Sequence, residues 1–124
     1  DAIDTMEPKC NLIEALQKQG IPFISSMGAA LKTDASAIRT AKLSQTINCP
    51  MARNVRQKLK KRGVNIADID CVFSSEQCIL PQEAIIDMPA GEKNILGSLP
   101  TITAIFGLTM ANFVILKLAK EKRK

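Results

Sequence analysis

The stretch NCPMARNVRQKLKKRG, residues 48–63, contains the clearest helical pattern in the sequence. Pro50 suits a first helical turn, and Gly63 is a typical residue just past a helix end. Apolar residues recur every fourth position through Val55 and Leu59, so these two side chains are predicted to face the interior. Apolar runs typical of strands stand on both sides of this helix, which favours an α/β sheet with helices packed against it.

The rest of the chain alternates between strand and helix patterns. A helix is predicted with Thr5 as its N-cap, Pro8 in its first turn and Gly20 at its end. A turn-rich connection follows the first strand, and within it Gly28 is free to take a positive φ. The remaining predictions are strands at 21–26, 37–46 and 68–75, an exposed loop at 76–97 with a short strand at Ala84–Met88, and a last helix at 100–120.

Composition limits the classes of function. The chain has 124 residues, enough for one domain or part of a larger one, and 46% of them are hydrophobic, which argues against disorder. It has no histidine, which excludes Ser-His-Asp and Cys-His mechanisms within these residues. The net charge of +5 is a mild bias toward anionic partners.

Four cysteines are spaced too irregularly for a CxxC motif, and we interpret them as reduced thiols of a cytoplasmic protein. An inert role is favoured for each. A nucleophilic role stays open for Cys49, beside Arg53 at the predicted helix start, while Cys71 in an apolar strand is interpreted as structural. Cys78 is expected to be exposed in the loop. The four cysteines are Cys10, Cys49, Cys71 and Cys78.

Residues 94–116 carry no charged side chain and are long enough to cross a bilayer. Glycine, proline, threonine and asparagine interrupt the stretch. We therefore expect a helix buried in the α/β domain and no membrane partner.

The chain opens with DAIDTMEPK, residues 1–9. Its first residues alternate acidic and apolar side chains, as at the end of a strand whose beginning is missing. A carboxylate at the carboxyl end of a strand lies where α/β sheets bind ligands, and Asp4 there suits Mg²⁺ on nucleotide phosphates. From the residues alone, helix capping or a favourable dipole interaction by Asp4 beside Thr5 is the favoured role, and the metal-binding interpretation stays open beside it.

The helix at 48–63 is strongly basic and has no acidic residue of its own. Such a surface is typical of phosphate and nucleic-acid binding, although positive charge near a helix C-terminus also complements the helix dipole. A plain solvated face remains the alternative. Its basic residues are Arg53, Arg56, Lys58, Lys60, Lys61 and Arg62.

Several stretches together resemble the HesA/MoeB/ThiF family, relatives of the ubiquitin-activating enzymes, over nearly the whole chain. They are DAIDTMEPK, the run ISSMGAALKTDASAIRTAKLSQTINCPMARNVRQKLKKRG, DCVFSSE and GSLPTITAIFGL. The resemblance is to the C-terminal portion of the family, and within it to the tRNA threonylcarbamoyladenosine dehydratases. It implies one partial domain over residues 1–124, with a Rossmann-like ATP-binding fold and a mixed sheet flanked by helices.

The resemblance also implies an ATP-dependent enzyme that adenylates a carboxyl group, here the threonylcarbamoyl group on tRNA. Asp4 would be the catalytic residue and the Mg²⁺ ligand, and Ala2, Ile3 and Asp4 would contact ATP. The family's glycine-rich phosphate loop lies upstream of DAID and is absent from these residues, so the fragment alone is expected to be inactive. The family usually forms homodimers.

A tRNA substrate gives the basic helix a purpose, and its candidate RNA-binding residues are Arg53, Arg56, Lys60 and Lys61. Two other functions remain open: adenylation of a ubiquitin-like sulfur carrier, and a non-catalytic nucleic-acid-binding module. Ala30 and Leu31 stand where relatives often carry glycines, so the loop near the nucleotide is expected to differ. No cysteine occupies the family's sulfur-transfer position, which weakens the sulfur-transfer alternative.

Overall fold

A computed structural model describes residues 1–79 and 97–122 of the chain. The described part contains three helices and three strands, and every helix and strand predicted within it is present. The strand predicted at Ala84–Met88 lies outside the described residues. In chain order the elements are α1 (Met6–Lys18), β1 (Ile24–Ser26), β2 (Ile38–Lys42), α2 (Pro50–Lys61), β3 (Asp70–Ser74) and α3 (Pro100–Glu121).

The sheet is mixed and has the strand order β1-β3-β2. β3 is parallel to β1, with Ile24 opposite Asp70, and antiparallel to β2, with Thr40 opposite Val72. The backbone of Asp1 adds a further pairing outside β1, since its nitrogen donates to Ile24 O at 2.8 Å and its carbonyl accepts from Ser26 N at 2.8 Å. This is the pattern of a parallel strand, as the alternation in DAID predicts.

Helices cover both faces of the sheet. Successive side chains of a strand point to opposite faces, and β3 follows this rule within two buried clusters. Cys71 and Phe73 pack with α1 and α2, whereas Val72 packs with Ile102 and Phe106 of α3. The mixed sheet and flanking helices confirm the predicted α/β class.

α2 begins and ends as its sequence predicts. Cys49 is the N-cap, and its Sγ accepts from the backbone N–H of Ala52 at 3.4 Å. Gly63 takes a φ of +72° just beyond the helix end, where residues other than glycine are disfavoured. Val55 and Leu59 are completely buried, which confirms their predicted orientation.

Two local predictions need correction. The strand predicted at 37–46 ends at Lys42, because Leu43 enters the core in a 3₁₀ turn spanning Leu43–Gln45. Gly28 does not adopt a positive φ. It serves close packing instead, since a Cβ there would lie 3.3 Å from the Cβ of Met51 in the first turn of α2.

The left-handed residue of this connection is Leu31, with a φ of +60°. Leucine here adopts a backbone conformation that glycine accepts more readily, at a cost of roughly 1–2 kcal/mol. Leu31 N donates to Gly97 O at 3.1 Å, which helps to hold this conformation. Whether the loop differs from that of relatives, as the resemblance implies, stays a prediction.

α3 is much less buried than we expected. Only Ile102 and Phe106 of this helix are fully buried, and both lie in its first two turns. Leu108 and Ile115 are 69% and 62% exposed. By length and composition alone α3 is apolar enough to cross a membrane, a property that core helices of soluble proteins share. The prediction of a buried helix is thus correct for the stripe of α3 that packs on the sheet, namely Ile102, Phe106, Met110 and Phe113, and wrong for the rest of its surface.

Candidate functional site

A cleft bounded by described residues has a volume of about 800 Å³. It opens where β1 ends, between residues 2–4, the connection after β1 and the first turns of α2 and α3. The cleft therefore lies at the carboxyl end of a parallel strand, where open α/β sheets bind ligands. The residues that line the cleft include the three that the resemblance implies for ATP contact, namely Ala2, Ile3 and Asp4.

Asp4 is exposed and faces this cleft. α1 begins at Met6 with Thr5 as N-cap, as predicted, but no side-chain capping bond is present there. No hydrogen bond or ion pair within the described residues involves the carboxylate of Asp4. No hydrogen bond in the described part of the chain supports the capping role of Asp4, its interaction with the dipole of α1 stays a prediction, and the carboxylate remains available to a ligand.

The backbone leading to Asp4 is held by a buried polar network that sequence analysis missed. Lys9 of α1 is completely buried, and its Nζ lies 2.9 Å from Oδ2 of Asp1. The same oxygen accepts from the hydroxyl of Ser25 at 2.6 Å. Burial lowers the pKa of Lys9 to about 8. The sequence signal that could have revealed this network is a lysine on the buried face of α1, beside Cys10 and Ile13.

The wall opposite is fixed by a second network around Lys32, which is 1% exposed. Its ammonium group donates to the carbonyl of Asn48 at 3.0 Å and to the carbonyl of Glu76. The Glu76 carboxylate accepts from the backbone N–H groups of Thr33 and Asp34 at 2.8 and 3.0 Å. These hydrogen bonds lower the pKa of Glu76 and join the end of β3 to the connection after β1.

All four cysteines are free thiols. Burial raises the pKa of Cys71 to about 12, which confirms its structural character, and burial also raises the pKa of Cys10. Cys49 is 6% exposed, and its sulfur is engaged at the start of α2. Cys78 is the most accessible of the four. It lies half-buried on the cleft rim, with its Sγ 3.7 Å from Ala30 O.

The basic helix divides into two groups of residues. Lys58 and Arg62 face α1, where both pair with Glu7 and Arg62 also contacts Glu14 at 3.2 Å. The acids that offset the helix thus come from α1, which the sequence of the helix alone does not reveal. Arg56 donates to the carbonyl of Thr46 at 2.9 Å and to its hydroxyl.

The other basic residues of α2 face solvent. Arg53, Lys60 and Lys61 are exposed and form no ion pair within the described part of the chain. Residues seven apart lie on nearly the same side of a helix, so Arg53 and Lys60 share one face. Of the predicted RNA-binding residues, three remain available to a partner, while Arg56 already binds within the protein.

Comparison with known proteins gives consistent relatives. The chain is 33% identical to tRNA threonylcarbamoyladenosine dehydratase of Bacillus subtilis over 98% of its length and 50% of that protein. It is 31% identical to the Escherichia coli dehydratase over 100% of its length and 53% of that protein. Dehydratase 2 of Saccharomyces cerevisiae is 34% identical over 93% of this chain, which covers 29% of the yeast protein.

Solved structures agree with these relatives. The E. coli dehydratase in complex with AMP superposes with a TM-score of 0.84 at 29% identity, over 100% of this chain and 49% of that one. Its complex with ATP gives a TM-score of 0.79 at 28% identity. No family model matches the chain.

The fold and the comparisons together define the class. The chain has the fold of part of a ThiF/MoeB-like protein, as the resemblance in the sequence implies. Within that class its relatives are the tRNA threonylcarbamoyladenosine dehydratases. The chain spans about half the length of the bacterial relatives that it matches.

Proposed function

We propose that this chain is the C-terminal portion of an ATP-dependent enzyme that adenylates and dehydrates threonylcarbamoyladenosine in tRNA. The observation that carries the proposal is the free carboxylate of Asp4, which lies at a strand end on a large cleft. The glycine-rich half of the nucleotide site would precede residue 1 in the full-length protein. Residues 1–124 would then be a single partial domain that is inactive alone.

The cleft suits a nucleotide with its metal ion. A volume of about 800 Å³ is within the range of small-molecule sites. Mg²⁺ is typically held by one or two carboxylates together with phosphate oxygens, and Asp4 is the acidic residue among those lining the cleft. Asp4 would hold Mg²⁺ and orient the phosphates, while Ala2 and Ile3 would contact ATP. When bound, Mg²⁺ would neutralise negative charge on the phosphates while the adenylyl group of ATP is transferred to the carboxylate of the substrate.

A tRNA substrate is supported by the exposed basic face of α2. Arg53, Lys60 and Lys61 would contact the phosphate backbone, and Arg56 would contribute through the part of its guanidinium not bound to Thr46. Such contacts position a nucleic acid without reading its sequence. We further propose a cytoplasmic homodimer. The homodimer is implied by the resemblance, and the cytoplasmic location is supported by the four free thiols.

The test uses the full-length protein and its Asp4→Ala variant. We expect wild type to bind Mg²⁺-ATP and to convert threonylcarbamoyladenosine in tRNA, and the variant to lose nearly all turnover because Mg²⁺-ATP binding is lost. The assay follows tRNA-dependent AMP release and, by mass spectrometry, the loss of one water molecule from threonylcarbamoyladenosine as its threonylcarbamoyl group closes into a ring. Near-normal turnover by the variant would remove Asp4 from the site.

The same AMP-release assay distinguishes the proposed function from the main alternative, which is adenylation of a ubiquitin-like sulfur carrier. If tRNA fails to stimulate AMP release but a ubiquitin-like sulfur carrier does, the enzyme belongs to the other adenylating branch of the family. A full-length protein without a glycine-rich segment upstream of Asp1 would instead favour a non-catalytic nucleic-acid-binding module.

A further inference from the structure

We propose that Lys9 is a positioning residue that holds the segment carrying Asp4 in the geometry that Mg²⁺-ATP binding requires. This inference rests on the proposed function and extends it to a buried lysine that never reaches the cleft. Lys9 and Asp1 both form hydrogen bonds with the backbone of Ile3, the residue immediately before Asp4.

Ile3 is the residue they hold. Its carbonyl accepts from the Nζ of Lys9 at 3.0 Å. Its N–H donates to Oδ1 of Asp1 at 2.8 Å. Because both polar groups of the Ile3 backbone are fixed by one ion pair, the backbone entering Asp4 has little freedom to rotate.

The ion pair is itself anchored to the fold. Lys9 belongs to α1, and Asp1 is fixed to β1 through the Ser25 hydroxyl and two backbone hydrogen bonds. The side chains of Lys9 and Asp1 are 0% and 1% exposed, so solvent screens their attraction little. The network therefore ties three parts of the chain together just behind the cleft: residues 1–3, β1 and α1.

A carboxylate binds a metal ion well only when its backbone is already in place, since the cost of ordering a loose segment is subtracted from the binding free energy. The exposed carboxylate of Asp4 has no partner of its own within the described residues. The Lys9–Asp1 pair keeps Asp4 in place because it fixes the backbone of Ile3, one residue before Asp4.

The test compares Mg²⁺-ATP binding by full-length variants, measured by calorimetry with and without Mg²⁺. Replacing Lys9 alone leaves a buried charge and endangers folding, so the main variant removes both partners, as Asp1→Asn with Lys9→Met. Lys18→Met is the matched control, because it makes the same change in the same helix at an exposed pair with Glu14.

We expect the double variant to melt cooperatively and to bind Mg²⁺-ATP roughly ten- to hundredfold more weakly, the range seen when groups that orient metal ligands are removed. Its affinity for ATP without Mg²⁺ should fall much less, because only the contact of Ile3 is loosened there, and Lys18→Met should change neither affinity. In an Asp4→Ala background, the double variant should cause no further loss of the Mg²⁺-dependent part of the affinity, because that part acts through Asp4.

Three results would overturn the inference. Wild-type affinity for Mg²⁺-ATP in the double variant, with Asp4→Ala impaired, would leave the proposed function standing and make Lys9 purely structural. An equal loss with and without Mg²⁺ would indicate general distortion of the site. If Asp4→Ala itself binds Mg²⁺-ATP normally, the assignment of Asp4 is wrong and the inference falls with it.

Discussion

Lys9 occupies an environment that lysine rarely tolerates, since its ammonium group is completely buried. Its contacts explain how the chain accommodates it: one carboxylate oxygen of Asp1 and one backbone carbonyl, that of Ile3, satisfy the charge. No buried side-chain nitrogen or oxygen in the described residues lacks a hydrogen-bond partner. Replacing one partner of such a network lowers the free energy of unfolding strongly, whereas replacing both partners together lowers it much less.

Two variants of the 124-residue chain test this asymmetry. Lys9→Met leaves the Asp1 carboxylate buried and unpaired, and we expect it to lower the free energy of unfolding by about 3–5 kcal/mol. Adding Asp1→Asn removes the unpaired charge and should recover most of that loss. Urea unfolding followed by circular dichroism measures both. Equal losses in the single and double variants would show that the charge balance does not matter.

Ion pairs on the surface join α1 to α2 at the level of whole elements. Lys58 and Arg62 of α2 meet Glu7 of α1, and Arg62 also reaches Asn11 Oδ1 at 2.8 Å and Glu14. The hydrogen bond from Lys58, with Lys58 and Arg62 as nearby charges, lowers the pKa of Glu7. Lys18 and Arg62 lower the pKa of Glu14 in the same way.

These lowered pKa values predict an acid-dependent loss of stability. The contribution of Glu7 is present above its ordinary pKa of 4.5 and is lost as the pH falls through its lower folded-state pKa. Glu7→Gln should therefore destabilise the chain slightly at pH 7, and the difference from wild type should vanish toward pH 3. Urea midpoints across this range measure it, with Glu121→Gln as the control. A pH-independent difference would contradict the electrostatic origin.

The outer face of α2 carries the prediction about tRNA. In the full-length protein, Arg53→Glu with Lys60→Glu should weaken tRNA binding and flatten its salt dependence, because each lost phosphate contact reduces the slope by roughly 0.7–0.9. ATP affinity should be unchanged. The measurement is tRNA affinity against salt concentration. Lys18→Glu with Arg39→Glu is a control that makes the same charge change elsewhere on the chain. If the salt dependence of tRNA affinity has the same slope for wild type and the α2 variant, the basic face of α2 is only a solvated surface.

How well the sequence predicted each element depended on where its determinants lie. α2 could be predicted nearly to the residue, because Pro50, Gly63 and the buried Val55 and Leu59 are all local signals. The partners of Lys58 and Arg62 could not, since they lie some fifty residues away in α1. Asp4 was found at a strand end from local pattern alone, whereas the Lys9 network behind it depends on three segments meeting in space.

At the scale of the molecule, the sheet is covered unequally. The face toward α1 and α2 carries the larger buried cluster, whereas the other face is covered, within the described residues, by one stripe of α3 formed by Ile102, Phe106, Met110 and Phe113. The sequence of α3 was apolar enough to predict burial, but burial also needs a neighbouring surface. The sides of α3 turned away from the packed stripe have no such surface among the described residues, so Leu108, Ile115 and Leu118 stay exposed.

This exposure predicts self-association of the 124-residue chain, because large apolar patches on a protein surface favour association. Leu108 and Ile115 lie seven residues apart, on nearly the same side of α3. Leu108→Gln with Ile115→Gln should lower the weight-average mass seen by sedimentation at a given concentration. Asn112→Gln should leave it unchanged. A wild-type chain that is monomeric at all concentrations would contradict the prediction.

The unequal accessibility of the four thiols makes the chain suitable for a spectroscopic probe. Cys10, Cys49 and Cys71 are shielded, whereas Cys78 is half-exposed on the rim of the cleft. A maleimide dye under mild conditions would therefore attach at Cys78 in preference to the other three, without replacement of any native cysteine. Its emission would report the entry of a ligand in real time, so occupancy of the cleft could be followed directly.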